Sequence, residues 1–338
     1  MPRQPTLKDV AREAGVSVTT ASSVINNRVD GIIRVSDETR EKVLQVANRL
    51  GYRPNLSARQ MRTQKSYTIG FITDEIATTP FAGRIIRGAQ REAWKHGKLL
   101  FVVNTDGDKK IEERAVSMLL ERNVEGIIYA TEYHRPVQPP PSIRETPVVL
   151  LDCFVEDHSL TSVVPDEVGG GFAATSALIQ RGHRRIGFIH HHKEIPATVG
   201  RRAGYLKALK EHGIAFDESL VCVDEGVASG GYRSALALLE RPDRPTALFC
   251  WSDHMAMGAY DAIRKLGLRI PEDVAVVGFD NMEIIASQLH PPLTTMQLPY
   301  YEMGQWAVRQ LVGGSIQTSD EQPIQHRMEC TLVVRQST

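Results

Sequence analysis

The sequence is short of several things that would each announce a function class. No stretch of its 338 residues approaches the run of about 20 apolar residues that a membrane-spanning helix needs. The N-terminal segment MPRQPTLKD has no apolar core, so a secretory leader is not expected and a cytoplasmic location is. There are four cysteines, Cys153, Cys222, Cys250 and Cys330, isolated and without CxxC spacing. They are expected to be reduced interior thiols, not a disulfide frame or a zinc set. His190, His191 and His192 alternate sides on an extended segment and have no carboxylate cluster beside them, so no metal is expected. Gly169-Gly170-Gly171 lacks GxGxxG spacing, which argues against a dinucleotide cofactor, and no cofactor is expected. No nucleophile elbow or phosphate loop is present either. Net charge is zero, with 40 basic and 40 acidic residues, and so says nothing about partners as a total.

The charge is unevenly spread, however. Residues 1–62 hold eleven Lys or Arg against six acids, a net +5, so the remaining chain carries −5. A basic head on an acidic body suits phosphate binding by the head alone. Within that head, Thr6 to Asn26 reads as a helix, a turn and a second helix. Leu7, Val10, Ala11 and Ala14 share one face of the first helix. Gly15 ends it, and Ser17 stands where the cap of the next belongs. Ala21, Val24 and Ile25 are the expected buried stripe of the second helix, leaving Val18, Thr19, Ser22 and Ser23 on its outer side. Two short helices joined this tightly are either an ordinary helical hairpin or a helix-turn-helix that enters the DNA major groove. Ser36 caps a third helix with Val43, Val46, Ala47 and Leu50 inward and Gly51 as its stop. Asn55 can cap a very short, Arg-rich helix from Leu56 to Met61, too short to be stable alone.

From Tyr67 strands and helices alternate, which means parallel sheets covered by helices on both faces. The strands end at Asp74, Asn104, Thr131, Asp152, His190, Asp224, Ser252 and Asp280, and ligands of open parallel sheets bind outside those carboxyl ends. Two such sheets predict two similar lobes with a cleft between.

The segments TLKDVAREAGVSVTTASSVIN, SDETREKV, LGYRPN and SARQMR follow one another as in the lactose-repressor (LacI/GalR) family of bacterial transcription regulators. The body resembles that family too, through GHRRIGFI, RRAGYLKAL, SDHMAMGAYDAIRKLGLRIPEDVAVVGFDN and PPLTTM. The resemblance runs over essentially the whole chain. It implies an all-α helix-turn-helix head at 1–53, a hinge helix and linker at 54–66, and an α/β body at 67–338 similar to periplasmic sugar-binding proteins. The body's lobes are expected at about 67–165 with 296–325, and about 166–295 with 326–338. The implied partners are palindromic operator DNA, a small sugar-like effector and a second copy of the chain.

Carried over by position, the resemblance implies base reading by Val18, Thr19 and Ser23, and phosphate-contacting or capping roles for Thr6, Ser17, Thr20 and Ser22. Ser23 stands where many members carry a long Arg. A bidentate Arg–guanine contact contributes about 1–3 kcal/mol of discrimination, so the operator preference at that position is expected to differ. The loop after Asn26 is about four residues longer than usual, and its Arg28 and Arg34 are candidate phosphate contacts. In the hinge, Asn55 caps, Ala58 permits close helix crossing, Arg59 and Arg62 face the DNA, and Met61 matches the apolar wedge inserted in the minor groove. For the effector the matching positions are Asp152, Arg201, Ser252 and Asp280. Asp74 and Phe81 in the first loop, Trp251, and one cleft-facing histidine, His190, complete the expected set. Ser252 replaces the family's common Asn.

The implied function is a repressor of a carbohydrate-use operon, without catalytic activity. The competing readings are a periplasmic-type solute-binding protein and an α/β enzyme using Asp152 and Asp280 as acid and base. The basic head argues against the first, and the missing catalytic motifs argue against the second.

Overall fold

The computed structural model describes residues 5–25, 35–53, 65–75, 82–313 and 322–338. The chain divides into two units, residues 1–66 and 67–338. Asn26, Arg28, Arg34, Asn55, Ala58, Arg59, Met61, Arg62 and Phe81 lie outside the described residues, as does the expected hinge helix.

In the first unit, α1 (Leu7–Ala14), α2 (Val18–Ile25) and α3 (Asp37–Leu50) surround a small core of Val10, Ala11, Ala14, Ala21, Val24, Val43, Val46 and Ala47. With side chains this small, the helix ends matter. Thr6 and Asp9 form a reciprocal capping box, and Gly15 turns the chain out of α1 at φ +70°. Ser17 Oγ accepts the Thr20 amide at 3.0 Å, and Ser36 accepts that of Thr39 at 3.3 Å.

The second unit contains two six-stranded sheets. The first comprises β1 (Thr68–Thr73), β2 (Leu99–Asn104), β3 (Ile127–Pro136), β4 (Val148–Phe154), β5 (Ser162–Pro165) and β11 (Gln325–Met328), in the order β11-β5-β4-β3-β1-β2. The second comprises β6 (Ile186–His191), β7 (Val221–Asp224), β8 (Ala247–Cys250), β9 (Ala275–Asp280), β10 (Thr294–Gln297) and β12 (Thr331–Val333), in the order β12-β10-β9-β8-β6-β7. Strand for strand the two orders are the same. All neighbours run parallel except β10 with β12. Strands such as VVLLD and AVVGFD are buried throughout, as parallel strands covered on both faces must be.

The covering helices are α4 (Ala82–Lys95), α5 (Lys109–Glu121), α6 (Glu167–Gln180), α7 (Pro196–Glu211), α8 (Ala228–Leu239), α9 (Asp253–Lys265), the short α10 (Glu283–Ala286) and α11 (Tyr300–Val312). Helix α7 starts at Pro196, which at the first turn needs no amide partner and is already set for helical φ. The chain passes between lobes at β5 to α6, β10 to α11 and β11 to β12. No helix among the described residues is long and apolar enough to cross a membrane.

Candidate functional site

On the head, the face that α2 turns outward carries Val18, 43% exposed, and Thr19, with Thr20 and Ser22 half-buried. Ser23 is a correction to the expected pattern. It is only 8% exposed, buried like Ala21 and Val24, while Ile25 is half-exposed. At one hundred degrees per residue Ser23 lies about 200° from Ala21, so it is buried outside the apolar stripe and not as part of it. The Thr6 and Ser17 hydroxyls are engaged in capping, Thr6 Oγ1 donating to Asp9 Oδ2 at 2.7 Å and Ser17 Oγ pairing with Thr20 Oγ1 at 2.8 Å.

In the body, the two sheets face a cavity of about 450 Å³ with their carboxyl ends. Its centre is Arg201 on α7, 3% exposed. Arg201 Nε donates to Glu167 Oε2 at 2.8 Å, Nη1 donates to the Trp251 carbonyl and lies 3.5 Å from Asp280 Oδ1. The guanidinium also stacks over the Phe279 ring at 3.7 Å and the Trp251 ring at 4.8 Å from their centroids. Two glycines allow this. A β-carbon on Gly171 would sit 2.4 Å from the Arg201 carbonyl oxygen, and one on Gly200 would sit 2.5 Å from Glu167 Cβ. Helices α6 and α7 therefore approach closely enough for Glu167, the first residue of α6, to meet Arg201. Burial works against the Arg201 charge, but Glu167 and Asp280 outweigh it and raise its pKa.

Asp152 and Asp280 take equivalent places in the two lobes. Asp152 falls where the β3–β4 register breaks, and Asp280 ends β9. Both hold left-handed backbone, φ +59° and +106°, and Asn281 after Asp280 is at +49°. Such conformations cost a non-glycine residue about 1–3 kcal/mol each and cluster at ligand sites. Asp280 has Arg201 beside it. Asp152 is 1% exposed, and neither carboxylate oxygen has a hydrogen-bond partner among the described residues. Burial pushes its pKa well above the carboxylate range and the Glu167 charge adds to this. The adjoining Tyr300 phenol and Arg201 pull the other way. Burial likewise raises Asp280, against Arg201.

Of the other expected residues, Trp251 lines the cavity and its buried Nε1 has no partner among the described residues. Ser252 lines it too, but its hydroxyl caps α9 by accepting the Met255 amide at 3.2 Å. His190 is a correction. It is buried against the Phe188 ring at 5.1 Å, Nδ1 bonding the His191 carbonyl at 2.9 Å, and the cavity wall is formed by His191 and His192 instead. Strand alternation permitted either phase. Asp74 also differs from expectation. It pairs with Arg135, accepts the amides of Glu132 at 2.8 Å and Glu75 at 2.9 Å, and opens on a separate N-lobe cavity of about 730 Å³.

Sequence reasoning missed Glu167, Glu132, Tyr133 and Tyr300, all on the wall. An acid one residue after the Asp166 cap of α6 reads as an ordinary complement to the helix dipole, so Glu167 carried no separate signal. Among the described residues no group of three or more metal-ligating side chains comes together.

Comparison with known proteins agrees with both parts of this geometry. Residues 6–55 match the model of bacterial regulatory proteins of the lacI family, and residues 175–338 match a periplasmic binding protein-like domain. The ribose operon repressor of Haemophilus influenzae is 34% identical over 332 residues, covering 98% of each chain. Among solved structures, the transcriptional regulator CelR in complex with cellobiose is 32% identical with a TM-score of 0.67, covering 99% of this chain and 100% of that one. The lac repressor dimer bound to operator and the anti-inducer ONPF is 28% identical with a TM-score of 0.75, covering 99% of each. Full-length similarity at this level, joined to a capped helix-turn-helix and a two-lobed body, places the chain in the LacI family of bacterial regulatory proteins, which are DNA-binding transcriptional regulators and not enzymes.

Proposed function

We propose that the protein is a cytoplasmic, homodimeric repressor of a carbohydrate-use operon whose operator affinity is set by a sugar-like molecule between the lobes. The observation that carries this is the pair of equivalent aspartates, Asp152 and Asp280, held in strained backbone on equivalent strands, with the buried Arg201 3.5 Å from Asp280. Carboxylates and a guanidinium lining one cavity, as Glu132, Glu167, Asp280 and Arg201 do here, are what paired hydroxyls of a sugar require. In this reading each subunit lays α2 in a major groove, with Val18 and Thr19 toward base edges and Ser17 and Thr20 near the backbone. The two hinge segments, with Met61 as wedge, meet in the central minor groove.

The glutamate at the start of α6 gives the cleft a route to the crossovers. Glu167 follows the β5–α6 connection directly, and its partner Arg201 touches Asp280 and Trp251. A ligand that recruits Arg201 or Asp280 therefore acts on a residue at a lobe-to-lobe connection. Its coupling to operator affinity is reciprocal and of the usual size, about 5- to 150-fold.

The test is selection of a bound duplex from a randomised library, followed by fluorescence anisotropy of that duplex with and without ribose, cellobiose and a wider sugar panel. A palindromic site whose affinity moves at least fivefold with one sugar is expected. If no duplex is selected, or none of the sugars alters its affinity, the proposal fails.

A further inference from the structure

The chemistry that α2 offers to DNA is narrower than its length suggests. Its sequence is VTTASSVI, and none of these eight side chains is an amide, a carboxylate or a cation. The pairings that single out a base by hydrogen bonds in the major groove are therefore closed to it. Those are Arg or Lys with guanine, Asn or Gln with adenine, and a carboxylate with cytosine. Lys8 and Arg12 stand on α1, the helix that crosses the DNA backbone in this motif, so their charge is placed for phosphates.

What α2 retains is hydroxyls and apolar groups. A serine or threonine hydroxyl accepts or donates to any base edge and discriminates weakly. Most of the hydroxyls are also committed or covered. Ser17 Oγ and Thr20 Oγ1 lie 2.8 Å apart, and Ser17 Oγ takes the Thr20 amide at 3.0 Å. Ser23 is 8% exposed and Ser22 is half-buried. The exposed positions are Val18, at 43%, and Thr19, the first two residues of the helix. In a helix-turn-helix the N-terminal residues of the second helix are the ones that meet base edges. Val18 has two methyl groups, no polar side-chain atom and no part in the core of the head. In the major groove the base that presents an apolar group is thymine, through its C5-methyl.

We propose that α2 reads thymine through its methyl group, with Val18 as the specifying residue, and that Ser23 specifies no base. The inference rests on the operator-binding reading above and names what that operator presents. Thymine stands opposite the start of α2 in each half-site, and no guanine or adenine is held there by paired hydrogen bonds. Phosphate contacts supply the affinity, and the fit of Val18 against the methyl supplies the discrimination.

The duplex selected with the full-length protein tests this by removing one methyl at a time. Deoxyuridine replaces each thymine of one half-site in turn, which leaves base pairing intact. Fluorescence anisotropy is expected to show binding about fourfold weaker at one position at least, the size of one buried methyl group. In Val18→Ala the loss at that position is expected to shrink to less than about twofold, as a double-mutant cycle requires of two groups in contact. Val18 is exposed, so this variant is expected to melt with the wild type, which separates a lost contact from a lost fold. Ser23→Ala is expected to keep the wild-type preference at every base pair. Four results overturn the inference and leave the operator-binding reading standing: half-sites without thymine, no deoxyuridine effect, a full effect in Val18→Ala, or a base preference altered by Ser23→Ala. If no duplex is selected at all, that reading falls as well.

Discussion

The two lobes share one strand order and place an aspartate at the same point, yet they treat it differently. In the C-terminal lobe Asp280 has a guanidinium within 3.5 Å, itself anchored by Glu167 and two aromatic rings. In the N-terminal lobe Asp152 is as deeply buried and as strained, and among the described residues no cation pairs with it. A buried charge is tolerable when paired and costly when not. The difference teaches which side of the cleft is complete by itself and which is completed by a ligand.

The largest test of this contrast is Arg201→Ala. Removing the guanidinium leaves Glu167 and Asp280 buried without their partner, and a loss of about 3–5 kcal/mol in urea unfolding is expected. A loss under about 1 kcal/mol would mean that the C-terminal lobe is no better compensated than its counterpart. Next in size is the pH dependence. Burial raises Asp152 and Asp280 well above the carboxylate range and pushes Asp253 up to about 7. A folded-state pKa above the unfolded value, about 3.9, means that the native state holds the proton longer. These groups therefore contribute stability that is fully present below the unfolded value and lost as pH rises through the folded one. The urea midpoint is expected to fall between pH 4 and 7.5, and Asp280→Asn and Asp152→Asn each to flatten the slope. A midpoint that climbs over that range would contradict the assignment.

Smaller effects sharpen the comparison at the strand ends. Ser252 caps α9 immediately after β8, so Ser252→Ala is expected to cost about 1 kcal/mol in the same unfolding assay. In the N-terminal lobe β3 runs on to Pro136 instead of turning into a helix, and Asp74 is tied to Arg135 there. That arginine is about one-third exposed, and Asp74 keeps two backbone donors without it. Arg135→Ala is expected to cost less than about 1 kcal/mol. A larger loss would show the N-terminal lobe to depend on its own arginine as the other does.

Much of this was legible in the residues. The caps of α1 and α3, the strand–helix alternation and the trio Asp152, Arg201 and Asp280 all follow local chemistry or whole-chain resemblance. Strands β5, β10 and β11 were not expected, since four residues with no alternation carry no period. The occupants of the wall depend on phase and distant partners. His190 and His191 differ by one position, and Asp74 is spoken for by an arginine 61 residues away. Ser23 is buried although it lies about 200° around α2 from Ala21, so the apolar stripe alone did not give its burial.

The central claim, that Asp152 is held unpaired for a ligand, is tested most directly by Asp152→Asn in thermal unfolding with and without the tightest-binding sugar of the panel. The account predicts an apo melting temperature equal to or above that of the wild type, because a buried carboxyl whose ionisation costs stability is replaced by a neutral amide, and a ligand-induced shift that is abolished. An apo protein that melts several degrees lower while keeping its full ligand shift would contradict it.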